Sequence, residues 1–123
     1  MSDSERSIFA RIVSREIPAT IVAETDRVIA FEDIAPKAPV HLLVFPKTQQ
    51  YRNVGELAAG DPALLAEMVG VAQSLADERT DSEFRLVFNT GESAGQTVFH
   101  VHAHVLGTRP GSGETLTEGS LAE

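Results

Sequence analysis

His100-Val101-His102-Ala103-His104-Val105-Leu106-Gly107 holds three of the four histidines of the chain. Imidazole alternates there with small or β-branched apolar residues, and a period of two is the period of a strand. Residues two apart on a strand share a face. The run therefore predicts a strand with three imidazoles on one side and Val101, Ala103 and Val105 on the other. Imidazole is the side chain best suited to proton transfer or metal ligation near neutral pH. A row of it along an apolar strand fits core packing poorly. His100 and His104 stand about 13 Å apart along an extended strand, so the three do not easily converge on one ion. A two-histidine metal site with a third ligand from elsewhere stays open. The better fit is acid–base and nucleophilic chemistry, with one histidine reacting while its neighbours set its tautomer.

Just before the row lies Asn89-Thr90-Gly91-Glu92-Ser93-Ala94-Gly95. Gly91 to Gly95 matches G-x-S-x-G, the pattern of a serine-hydrolase nucleophile elbow. That elbow needs a helix directly after the serine, and here the period-two run from Thr97 follows instead. A phosphate cradle fits better, with glycines turning backbone N–H groups toward an anion and Asn89 and Thr97 adding donors. The plain alternative is a hairpin loop. Two further residues extend the pattern. His41 is the one polar residue inside the apolar run Val40 to Phe45, and it reaches a triad imidazole if the two strands pair. Asp33 follows Phe31-Glu32 and can accept two hydroxyl hydrogen bonds, as a cis-diol would offer.

The 123 residues suit one compact domain, and 42% apolar residues support a core. A formal charge of −8 argues against nonspecific nucleic-acid binding and against an electrostatic membrane anchor. With no cysteine, disulfides, thiol nucleophiles and Cys-based zinc sites are excluded. No apolar stretch approaches the roughly 20 residues of a membrane span, and no signal peptide is read at the N-terminus.

The elements follow from periodicity and punctuation. Ser4 or Ser7 caps a short helix with the stripe Ile8, Phe9, Ile12 and Val13, ended by Pro18. Thr20 to Thr25 and Val28 to Glu32 read as strands around Asp26-Arg27, and Val40 to Phe45 as a strand buried on both faces. Asp61-Pro62 starts a helix that runs to about Arg79. Phe84 to Phe88 and Thr97 to Leu106 complete the set. The order helix, three strands, helix, two strands predicts an α+β domain, an antiparallel sheet with helices on one side. Residues 1–107 form the domain, and 108–123 a polar, exposed tail.

On these residues the chain resembles the histidine triad (HIT) nucleotide-binding proteins. His100 to Leu106 looks like their His-φ-His-φ-His-φ-φ signature. Ile17-Pro18-Ala19, Phe31 to Pro36, Ala38-Pro39-Val40-His41, Asn89-Thr90-Gly91 and Gly95-Gln96-Thr97 fall in the family's order. Gly107 resembles the Hint branch, the purine nucleoside phosphoramidases, whereas Fhit-like dinucleoside polyphosphate hydrolases usually have Pro there. The resemblance implies a HIT-like fold with a five-stranded antiparallel sheet and two main helices, doubled to ten strands in a homodimer. It implies a purine nucleoside monophosphate conjugate, of AMP or GMP type, as ligand. His102 would be the nucleophile that forms a nucleotidyl-histidine, and His104 would contact the phosphate. His100 with His41 would form the relay behind His102. Asn89, Thr97 and the Gly95-Gln96 backbone would hold the phosphate, and Asp33 the ribose. Ile8, Phe9, Phe31 and Ile34 would sandwich the base.

No metal or other cofactor enters that scheme. The expectation is a cytoplasmic homodimeric phosphoramidate hydrolase that binds neither nucleic acid nor membrane. The alternatives are a dinucleoside polyphosphate hydrolase, a nucleotide-binding regulatory module with weak catalysis, and a metal-binding protein. Two departures from the Hint pattern stand out. Thr97 replaces the frequent Ser, and the tail has no aromatic residue.

Overall fold

The structure, a computed structural model, describes residues 6–117. Eight elements follow in order: α1 (Ile8–Val13), β1 (Ile21–Glu24), β2 (Val28–Glu32), β3 (Val40–Pro46), α2 (Val54–Gly60), α3 (Pro62–Arg79), β4 (Phe84–Val87) and β5 (Ala103–Gly107). The strands form one antiparallel sheet in the order β1-β2-β3-β5-β4. The α+β class and five-stranded sheet are as expected. β5 inserts between β3 and β4, so the strand that carries the end of the histidine row lies inside the sheet.

Local chemistry explains the helix ends. Ser7 caps α1, its Oγ accepting from Ala10 N–H at 2.9 Å. Ser4 lies outside the described residues. α1 stops at Val13, well before Pro18. Arg15 takes a left-handed φ of 66°, and its N–H donates to the Ile12 carbonyl while Glu16 N–H donates to that of Arg11. Those two bonds close a Schellman motif. α3 starts as read, with Asp61 Oδ1 accepting from Leu64 N–H at 3.0 Å and Pro62 opening the helix. α2 is an addition to the expected order. Its signal was local: Asn53 Oδ1 accepts from Glu56 N–H, and Glu56 Oε1 accepts from Arg52 N–H.

The sheet buries both faces. On one, Val28, Ala30, Leu42, Val44, Val101, Ala103 and Val105 pack with Leu57 of α2 and Leu64, Met68, Ala72, Leu75 and Ala76 of α3. On the other, Ile29, Phe31, Leu43 and Phe45 pack with Phe9 and Ile12 of α1. Helices therefore cover both sides, not one as expected. The cause is the α1 stripe, whose Phe9 and Ile12 bury apolar surface worth roughly 2 kcal/mol each.

The ladder of β5 begins only at Ala103, paired with Val44, and Val87 of β4 pairs with His104. The expected strand from Thr97 is thus shorter, because neighbours run out; Val101 N–H instead donates to the Tyr51 carbonyl. Beyond β5, residues 108–117 are mostly exposed but tied down. Gly111 N–H donates to Asp81 Oδ2 at 2.9 Å and Arg85 Nη1 to the Thr117 carbonyl at 2.8 Å.

Gly107 has a packing reason to lack a side chain. A Cβ there would stand 2.5 Å from Thr80 Cγ2. Thr80 cannot turn away, since its Oγ1 donates to the Ala76 carbonyl and accepts from Ser82 N–H. Gly107→Ala is expected to lower unfolding free energy by about 1–3 kcal/mol in denaturant titration. The double variant Gly107→Ala/Thr80→Ser, which removes Cγ2, should recover part of that loss.

Candidate active site

Alternation holds through the whole row: Val101, Ala103 and Val105 pack in the core with α3, while His100 and His102 meet Phe9 of α1 and His104 follows beside His102. Phe9 spans the row edge-on, its ring centroid 5.6 Å from that of His100 and 4.8 Å from that of His102. His102 and His104 follow at 5.2 Å.

His100, His102 and His41 are each held in one tautomer by a backbone group of fixed polarity, and His104 is set in turn by His41. His100 Nε2 lies 2.7 Å from the Pro46 carbonyl, which only accepts, so Nε2 carries the proton. His100 Nδ1 is then the acceptor, and Ser7 Oγ stands 2.5 Å away. His102 Nδ1 donates to the His100 carbonyl at 2.8 Å, which leaves the Nε2 lone pair unprotonated. Lys37 N–H donates to His41 Nδ1 at 2.9 Å, so neutral His41 carries its proton on Nε2. That Nε2 lies 3.0 Å from His104 Nδ1, which accepts, and His104 therefore carries its proton on Nε2. The row offers a lone pair at His102 and a donor at His104.

Burial favours the neutral forms. Desolvation lowers the His100 pKa to about 4, against the opposing bond to Pro46. His102 is lowered chiefly by desolvation, opposed by the His100 carbonyl and Asp33. His41 is lowered by the same main cause, with Asp33 opposing.

The expected link between His41 and His100 is not what the fold builds. Both ring nitrogens of His100 are taken by Ser7 and Pro46, and His41 joins His104. The register explains it: Leu43 sits opposite His104, so His41 is the diagonal neighbour on the same face. His41 Nε2 also lies 3.4 Å from Asp33 Oδ2, and Asp33 Oδ1 accepts from Ala35 N–H at 2.8 Å.

The Gly-rich loop also differs from expectation. Gly91 and Gly95 adopt positive φ, 89° and 95°, around a single 3-10 turn at Glu92–Ala94. Yet Gly95 N–H donates to the Glu92 carbonyl and Gln96 N–H to that of Gly91, so both amides are engaged inside the loop. Buried Gln96 acts as a strut. Its Oε1 accepts from Gly91 N–H, and its Nε2 donates to the Arg52 and Val98 carbonyls. The cradle expected from the Gly95-Gln96 backbone is thus a self-bonded turn. Thr97 is exposed and Asn89 half-buried.

Of the four residues expected around a base, Phe9 and Phe31 are buried side by side, with centroids 6.0 Å apart. Ile8 is half-exposed and Ile34 is 93% exposed, so they do not enclose a pocket with the phenylalanines. Two cavities flank the row. One of about 370 Å³ reaches Asp33 and His41; the other, about 440 Å³, is lined by Ser7, Ile8, Gln49 and Thr97 among others. Ser7 and Gln49 are the residues that sequence reasoning missed here. Only the helix cap marked Ser7, and nothing marked Gln49.

One set of possible metal ligands stands out among the described residues: donor atoms of Asp33, His41 and His104 lie within 4.8 Å of one another. Their protonation fits a hydrogen-bond chain better. The Lys37 amide requires a lone pair on His41 Nδ1, so neutral His41 has no second lone pair on Nε2 to give an ion.

The HIT domain model matches residues 14–111, which include the whole row, His41, Asp33 and the loop. The chain belongs to the HIT family. An uncharacterised HIT-like protein from Synechococcus elongatus is 48% identical over 107 residues, covering 86% of this chain and 93% of the relative. A purine nucleoside phosphoramidase from Escherichia coli is 40% identical over 109 residues, covering 87% and 91%. A HIT family hydrolase from Clostridium thermocellum superposes with a TM-score of 0.80 at 39% identity, covering 92% of this chain and 98% of that one. A hydrolase of the HIT family is what these likenesses support. Among the described residues, no helix is long and apolar enough to cross a membrane.

The buried row predicts a loss of stability in acid. The unfolded chain takes up protons on its histidines near pH 6.5, whereas folded His100 resists until about pH 4. Stability is full above about pH 6.5 and falls as pH drops through that window; the shifts of His41 and His102 act in the same direction. Denaturant titrations from pH 7.5 to 4 should show the decline, and His100→Gln should flatten it.

Proposed function

We propose that this HIT protein hydrolyses the P–N bond of purine nucleoside 5′-phosphoramidates, conjugates of AMP or GMP type with an amine. The observation that carries the reading is the pairing of opposite polarities at His102 and His104. His102 presents an unprotonated Nε2, with Nδ1–H anchored on a carbonyl. His104 presents an Nε2–H, with Nδ1 held by His41.

In the proposed reaction His102 Nε2 attacks the α-phosphorus. The P–N bond breaks, its electrons leave with the amine nitrogen, and that nitrogen takes up a proton. A nucleotidyl-histidine remains. Water then attacks the same phosphorus and releases a proton to solvent, making up for the one the amine drew from it; the N–P bond to His102 breaks, and a nucleoside 5′-monophosphate departs. His104 donates to a phosphoryl oxygen as charge builds there. Asn89 and Thr97 supply further contacts, while Gly95 and Gln96 shape the loop that presents them. Asp33 takes the ribose hydroxyls, and Phe9 and Phe31 form the apolar wall near the base, with Ile8 and Ile34 at its rim. No cofactor is assigned to the scheme.

The 40% identity to a purine nucleoside phosphoramidase supports the substrate class. The proposal includes a cytoplasmic homodimer. β4 is the edge suited to continue the sheet into a second copy. The other edge, β1, carries a register shift between Ile21 and Ala23 that disfavours pairing.

On an adenosine phosphoramidate, His102→Ala and His102→Asn should each lose about a thousandfold or more in kcat. Full activity in both would remove His102 as nucleophile. Faster turnover of dinucleoside polyphosphates would shift the substrate class, and tight binding of AMP without turnover would point to a regulatory module. Sedimentation at micromolar concentration should show a dimer; a monomer alone would count against the joined sheet.

A further inference from the structure

We infer that Ser7 is a positioning residue for the histidine row: its hydroxyl proton, together with the Pro46 carbonyl, holds His100 in one tautomer and place, and His100 in turn holds His102. The inference rests on the proposed role of His102 for its kinetic part only. Ser7 stands 93 residues from His100 in sequence, and two independent bonds bring it there. Its N–H donates to Gln49 Oε1 at 3.0 Å, just past the end of β3. Its Oγ meets His100 Nδ1.

The proton count settles the direction of that second bond. Ser7 Oγ already accepts from Ala10 N–H, so a lone pair serves the helix and the single O–H proton is left to donate. His100 Nδ1 can accept it, because the Pro46 carbonyl keeps the ring proton on Nε2. The ring is thus clamped at both nitrogens, and Phe9 and Phe45 meet it in T-shaped contacts with centroids at 5.6 and 5.5 Å. What the clamp steadies is the His100 backbone, whose carbonyl accepts from His102 Nδ1–H. A shift of that carbonyl turns the His102 ring and moves its Nε2 lone pair. Reacting groups misplaced by about 1 Å lose on the order of a hundredfold in rate.

A helix cap alone would be a purely structural role, and three substitutions separate the two. Ser7→Thr keeps the cap and the donor. Ser7→Asp keeps the cap but has no proton to give, and draws one onto His100 Nδ1 instead. Ser7→Gly retains most of the cap energy and lacks the hydroxyl. The tautomer of His100 is read from imidazole nitrogen-15 NMR, and kcat and KM from hydrolysis of an adenosine phosphoramidate.

The expected result has Nδ1 unprotonated and Nε2 protonated in wild type and Ser7→Thr, with Thr restoring most of the rate. Ser7→Asp protonates Nδ1. Both Asp and Gly lose about tenfold to a hundredfold in kcat while KM changes less than threefold. The idea is overturned if the folded Asp variant leaves His100 Nδ1 unprotonated, if folded Asp and Gly variants keep the wild-type kcat, or if Thr falls as far as Gly. Should wild type fail to turn over the substrate, the proposed function fails, while the tautomer measurement still decides the role of Ser7.

Discussion

The antiparallel ladder between β3 and β5 is the constraint on which the rest depends. It sets Leu43 opposite His104 and Val44 opposite Ala103. A slip of one residue would send every side chain of the strand to the other face. Nothing about imidazole chemistry prevents that slip. Val101, Ala103 and Val105 do, because only one face offers them Leu64, Met68 and Leu75 of α3. The histidines are placed by the burial of the residues between them. His41 follows from the same register, since the diagonal neighbour of His104 on that face can only be a residue two steps from Leu43.

Position alone would leave each imidazole free to exchange tautomers. The fold removes that freedom with groups that cannot change polarity: the Pro46 carbonyl, the His100 carbonyl and the Lys37 amide. Backbone donors and acceptors keep their polarity at every pH, and from them the setting passes to side chains: His41, fixed by the Lys37 amide, fixes His104 in turn. Burial adds to this by disfavouring imidazolium, so His100 and His102 stay neutral under conditions where a free histidine begins to charge. Two neighbouring rings thereby acquire opposite characters, one a lone pair and one an N–H, from the same residue type.

The sequence was most legible where periodicity and punctuation agree. Asp61-Pro62 and the stripe of Leu64, Met68, Ala72 and Leu75 marked α3 to its last residue, and Val28 to Glu32 matched β2. The faces of the histidine row were equally plain, since alternation needs no ladder to persist. α2 was passed over because its seven residues, two of them glycine, have too little periodicity to announce a helix. The partners of the imidazoles were hidden for a different reason. His41 with His104 and Ser7 with His100 are contacts across 63 and 93 residues, decided by register and by where α1 docks. In the loop, composition was read as a cradle, yet buried Gln96 takes up the Gly91 amide and the Glu92 carbonyl takes up that of Gly95. Glycine content permits a turn; it does not say which way the N–H groups point.

α1 joins the two halves of this account. Six residues are far below the ~12–15 at which an isolated helix becomes even marginally stable in water. Its end bonds satisfy only a few backbone groups, so it persists because Phe9 and Ile12 pack on the sheet. The same Phe9 ring lies against His100 and His102, and the same Ser7 that caps the helix meets His100. The helix cannot dock without closing over the row, and the row cannot be desolvated without the helix. Burial of α1 and preparation of the imidazoles are therefore one event. The low His100 pKa follows from it: the desolvation that keeps the ring neutral is supplied by the residues that hold α1 in place.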